Sequence, residues 1–129
     1  MSRLRLRALL AATALLCAAC VGTGPGLTDV LQRPAERALL TGLRAYEDGQ
    51  YAEAERELKK ALDLGLASPK DRATANKHLA FVYCTSNRVS ACDQAFRAAL
   101  AADPGFAQSR AEAGHPQWGP VYRRATAGR

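Results

Sequence analysis

Between Pro34 and Gly114 the apolar positions of this chain recur with helical spacing. Pro34 suits the first position of a helix, and Leu39, Leu40, Leu43 and Tyr46 continue a stripe that ends near Gly49. Tyr51, Ala54, Leu58, Ala61 and Leu62 form the stripe of a second helix. Its opposite face carries Glu53, Glu55, Glu57, Lys59 and Lys60 and reads as solvated, and Gly65 supplies the stop. Ser68-Pro69-Lys70-Asp71 sets a capping serine before a first-turn proline, with an acid three residues after the cap, and predicts a third helix start. Ser90-Ala91-Cys92-Asp93 repeats that signal and predicts a fourth. Leu79 to Tyr83 lie on the third helix, and Cys92, Ala95, Phe96, Ala99 and Leu100 pack from the fourth. After Asp103-Pro104 a short fifth helix is predicted over Gly105–Ala113, halted by Gly114.

The two central hairpins are copies of one pattern. Ala99 answers Ala61, Phe96 answers Leu58, Cys92 answers Ala54, Val89 answers Tyr51 and Asn87 answers Gly49, each pair 38 residues apart. Small residues where antiparallel helices touch, large apolar ones between them and a turn residue separating them make the tetratricopeptide pattern. The expected fold is therefore all-α, with about two tetratricopeptide-like repeats plus a capping helix, and an irregular C-terminal tail. Stacked repeats of this kind need about three units to stand alone, so the tail, a disulfide or a partner must help.

The first residues predict export. Met1–Arg7 is basic and Ala8–Ala19 is an apolar run. A helix of that length spans roughly 18 Å, short of the ~30 Å of a bilayer core. The run ends Ala18-Ala19-Cys20, which has the form of a bacterial lipobox, although Cys17 stands where leucine is usual. The expected division is a lipoprotein signal peptide over 1–19 and a lipidated tether over 20–33, beginning at Cys20 and rich in Gly, Thr and Pro. A helical domain over 34–113 and a tail over 114–129 follow. Acyl chains of the palmitate kind on Cys20 anchor a protein without a transmembrane helix. With no aspartate beside Cys20, the outer membrane facing the periplasm is the expected address. Removing Arg3, Arg5 and Arg7 lowers the formal charge from +6 to +3, and the remaining basic residues are dispersed apart from Arg123 and Arg124. Nucleic-acid binding, which needs a basic stripe or patch, is disfavoured.

Candidate chemistry is sparse. Cys84 and Cys92 are the pair left after export, and eight residues apart they favour a disulfide flanking one turn over two buried thiols. His78 and His115 are far apart, with no acid or thiol spacing that suggests a metal and no base–nucleophile set. No enzyme, cofactor or small-molecule substrate is expected. A partner surface is expected instead. The first helix of each pair presents Leu39, Leu43 and Tyr46, then Lys77 and Phe81. In the tail, Gly114, Pro116, Gly119 and Pro120 argue against regular helix, yet His115, Trp118, Val121 and Tyr122 are too ring-rich and apolar for a loose end. Trp118 either folds back to cap the last helix or, with His115 and Tyr122, docks another protein.

The stretch YCTSNRVSACDQAFRAALAADPGF followed by AEAGHPQWGPVYR resembles small lipoproteins encoded with bacterial type VI secretion systems, the TssQ-type tetratricopeptide family. The resemblance covers about Leu39–Arg124. Its specific parts are Tyr83-Cys84, Cys92, Phe96-Arg97, Asp103-Pro104 and the GHPQWGP strip. It implies a non-enzymatic envelope lipoprotein that helps to assemble or position a secretion machine, and it hands over no catalytic residue. The alternatives are a general outer-membrane or pilus assembly lipoprotein and a cell-wall-binding structural lipoprotein.

Overall fold

The helical body opens at Pro34, where the ring sets φ and the missing N–H has no helical acceptor to lose. In the computed structural model, Gly26, Asp29 and residues 32–128 are described. The expected signal peptide, the lipidation site Cys20 and most of the tether lie outside them. From Pro34 on, the described residues form six helices in order: α1 (Pro34–Glu47), α2 (Tyr51–Leu64), α3 (Pro69–Thr85), α4 (Val89–Ala102), α5 (Arg110–Ala113) and α6 (Gly119–Thr126). Among the described residues there is no strand.

α1 pairs with α2 and α3 with α4, and α2 packs on α3 to join the hairpins. The first pair closes through a small residue. Gly42 of α1 sits so near α2 that a Cβ there would lie 2.8 Å from Leu58 Cγ and 3.0 Å from its backbone nitrogen. Leu58 and Phe96, at matching places on α2 and α4, are both 0% exposed.

The two hairpin turns share one hydrogen-bond register. Gln50 N–H donates to Ala45 O at 2.8 Å and Gly49 N–H to Tyr46 O at 3.0 Å. In the second hairpin Arg88 N–H donates to Tyr83 O at 2.8 Å and Asn87 N–H to Cys84 O at 3.1 Å. Both turns need a left-handed residue, Gly49 at φ 73° and Asn87 at φ 60°. Glycine and asparagine are the residues that tolerate it.

Start signals fare unequally. Ser68 caps α3 as expected, accepting from Asp71 N–H at 3.3 Å, with Pro69 in the first turn. The signal at Ser90 does not hold: α4 begins at Val89 behind Arg88, with no side-chain cap. The left-handed turn at Asn87 fixes the start, and Asp93 instead holds Arg97 at 2.7 Å. The expected Gly105–Ala113 helix shrinks to Arg110–Ala113, because the Asp103 carboxylate accepts Gly105 N–H at 3.0 Å and turns the chain first. A second correction concerns the tail, which is not irregular throughout. Gly119–Thr126 is helical, with Pro120 in its first turn, where a missing N–H costs nothing.

Two stripes are narrower than their sequence suggests, since Leu40 and Tyr51 are each 44% exposed. The disulfide expectation holds. Cys84 and Cys92 are joined with their Cα atoms 5.3 Å apart, tying the last turn of α3 to the first turn of α4. Both are buried.

Gly42→Ala should destabilise the protein by about 1–3 kcal/mol, because overpacking against Leu58 outweighs the gain in helix propensity of about 1 kcal/mol. Urea unfolding measures the difference, and an unchanged or raised midpoint would contradict the close approach. Replacing both Cys84 and Cys92 by alanine should cost about 2–3 kcal/mol, the chain-entropy value for so short a loop. The variant's melting midpoint should then ignore added reductant, while that of the parent falls.

Candidate functional site

The site is the face that α1 and α3 present together, with the tail laid against it. α3 projects Lys77, His78 and Phe81 within little more than one turn, and α1 places Tyr46 beside them. The Tyr46 ring centroid lies 5.1 Å from that of His78 and 6.1 Å from that of Phe81. Phe81 in turn meets Phe96 of α4 edge-on at 6.1 Å.

The tail reaches this face through its rings. Trp118 stacks on Phe81 with centroids 4.3 Å apart, and His115 lies parallel to Trp118 at 3.4 Å. Aromatic pairs add about 0.5–1.5 kcal/mol beyond the area buried. Lys77 Nζ donates to Glu112 Oε1 at 2.8 Å, and both side chains are partly shielded. Further along, Tyr122 meets Phe96 edge-on at 5.4 Å, and Val121 and Ala125 are buried.

Internal bonds brace the tail. Ser109 and Glu112 form a reciprocal capping box at the start of α5. The Trp118 indole N–H donates to Glu112 O at 2.9 Å, Gly119 N–H to His115 O at 2.8 Å and Gln108 N–H to Tyr122 Oη at 3.2 Å. A Cβ at Gly119 would lie 2.5 Å from Ala113 O, so this glycine permits the close crossing of α5 and α6. The side-chain amide of Gln108 is buried with neither Oε1 nor Nε2 meeting a protein partner. Each such group costs about 1–3 kcal/mol when shut away from water.

The expected partner residues fall into three groups. Leu39 belongs to the core at 5% exposure. Lys77, Phe81, His115 and Trp118 come together, and Phe81 and Trp118 are buried by their own contact. Leu43, Tyr46 and Tyr122 are half-buried and pack against the core. Cys20 lies outside the described residues. Glu112 and His78 belong to the site and were absent from the expected partner set. Glu112 had a readable signal in its place three residues after Ser109, whereas His78 had none. Among the described residues no three His, Cys, Asp or Glu side chains gather as a metal site would require, and no helix is long and apolar enough to cross a membrane.

Burial pushes the His78 imidazole below its ordinary value near 6.5, with Lys77 acting the same way. The bond between Nδ1 and Thr74 O (2.8 Å) and the charges of Glu112 and Glu47 oppose it without reversing it. For Glu112, burial alone would raise the pKa, but bonds from Lys77 and from the Ser109 backbone outweigh it and hold the carboxyl below its usual 4.5.

Both groups are depressed in the folded state, so unfolded chains bind more protons in the windows below these ordinary values. Stability should be full above about pH 6.5 and fall first as His78 is forced to charge, then again below about pH 4.5 as the Glu112–Lys77 contact is lost. His78→Gln should flatten the first fall and leave the second. Thermal unfolding across pH 3–8 reads this, and a first fall of equal depth in the variant would assign it to another group.

No protein-family model matches the chain, and no curated protein or solved structure matches it either. The functional conclusion therefore rests on the chain's own residues.

Proposed function

We propose that this protein is a lipid-anchored periplasmic adaptor without enzymatic activity. Its two hairpins act as tetratricopeptide-like repeats that hold another envelope protein, as an accessory of a type VI secretion system. The observation that carries this reading is the Cys84–Cys92 bond. It joins the two cysteines that follow the Ala18-Ala19-Cys20 stretch, and such bonds persist in oxidising compartments such as the bacterial periplasm.

Three further features support the reading. The left-handed turn recurs 38 residues on with the same donors and acceptors, as duplicated repeat units would have it. The contact of Gly42 with Leu58 is the small-against-large pairing such repeats use between their helices. The strip His115-Pro116-Gln117-Trp118, which carries the likeness to TssQ-type lipoproteins, packs on the face where a repeat protein takes its ligand.

Cys20→Ala should release the protein from the membrane pellet into the soluble periplasmic fraction, with the parent remaining in the pellet. A variant that still sediments with membranes would show that acylation is not the anchor. Crosslinking in intact envelopes should join the parent chain to a component of the secretion machine. Retention on purified cell-wall sacculi without such a product would favour the structural alternative.

A further inference from the structure

We propose that Ser109–Thr126 is a removable cover, and that the face beneath it binds a partner strip offering the same two groups: a carboxylate for Lys77 and an aromatic ring for Phe81. The inference rests on the adaptor reading above and names the chemistry of its partner.

The cover carries its own structure. Its capping box, the indole bond to Glu112 O, the Gly119 bond to His115 O and the Arg123 bond to Ala113 O (3.4 Å) all lie inside the segment. None is broken by lifting it. What holds it to the helical body is different in kind: one ring stack from Trp118 to Phe81, one ion pair from Glu112 to Lys77, and the apolar side of α6 against Phe96. Residues 103–109, which join it to α4, are not helical, and the Gln108 amide within them lacks a protein partner while the cover is shut. Lifting the cover lets water reach that amide.

The bound cover is also a template for what can replace it. Lys77 is a cation on the ligand face, taken up by a carboxylate of the tail and not by one of the hairpins. Phe81 shows Trp118 one ring face at 4.3 Å. Leu43 and Tyr46 continue the same face and remain half-buried, so a longer strip has apolar contact to gain past the edge of the cover. An acidic side chain followed about six residues on by Trp or Tyr, in a chain bent as α5 bends into Trp118, fits both places. Attachment in the same chain gives the cover an effective concentration of millimolar order, so a partner must be strong or the cover weakened.

The test uses the full chain in detergent and a fluorescein-labelled peptide with the sequence Ser109–Arg124. Trp118→Ala should lift the cover, and the peptide should then bind at least about tenfold tighter than to the unaltered chain. Changing the peptide's own tryptophan to alanine should abolish that gain, and Lys77→Ala in the chain should weaken binding and remove its salt dependence. Should Trp118→Ala lose its cooperative melting, Glu112→Gln, which frees Lys77 and leaves the apolar contacts in place, serves instead with the same expectation. Equal affinity for closed and opened chains, or binding indifferent to the peptide's tryptophan, would overturn the proposal. So would dimers of the unaltered chain with exchanged tails in sedimentation, since the occupant would then be a second copy. Either failure leaves membrane anchoring and envelope crosslinking as they were, so the adaptor reading stands or falls separately.

Discussion

The Phe81 ring is where the parts of this molecule meet. It is 2% exposed, touches Phe96 within its own hairpin, faces Tyr46 of the first hairpin and stacks with Trp118 of the tail. An aromatic ring offers two faces and an edge, and these neighbours use them in different geometries. A smaller residue would loosen the contact between hairpins and the seat of the tail together. The apolar floor of the candidate site and the centre of the core are therefore one group of side chains. A ligand that engages this face acts directly on the packing of α3.

That coupling matters because the core is thin. Two helical hairpins bury only a modest apolar area, and small domains of this size are marginally stable on their core alone. Two features make up the difference. The Cys84–Cys92 bond limits the unfolded chain at the hairpin bearing most of the ring contacts. The α5–α6 segment adds Trp118, Val121 and Ala125 to the core beside the second hairpin. Surface charge contributes less: the Arg88–Glu55 bridge at 2.7 Å links the hairpins, but Arg88 is largely solvent-exposed and such pairs are worth about 0–1 kcal/mol.

How far the sequence carries depends on how local each signal is. The turns were legible because Gly49 and Asn87 answer a backbone demand made within five residues. Ser68 was legible because a cap bonds only to its own helix. Ser90 misled for the opposite reason: the turn preceding it, and not its hydroxyl, decides where α4 starts. The tail misled through its glycine and prolines, which read as helix breakers by composition. Gly119 is there for a close crossing with Ala113, and Pro120 stands in the one turn that accepts it. Neither fact is visible without the neighbour. Lys77 and Phe81 stand on one face as the expected rows had them, but the stripe left open whether a partner or the chain's own tail covers it, since a sequence stripe carries no information on its occupant.

The arrangement sets two requirements against each other. A face apolar enough to hold a partner is a hazard when bare, because exposed apolar patches of a few hundred Å² promote unwanted association. Burying it permanently would close the proposed partner site. An intramolecular cover meets both conditions only if its grip is moderate and its own fold survives release. The tail's backbone and indole hydrogen bonds are turned inward, and its hold on the body is a ring stack, one partly shielded ion pair and the apolar side of α6. A hold made of one ring and one carboxylate, groups that another chain can also offer, is the strongest physical reason to regard the tail as more than a cap.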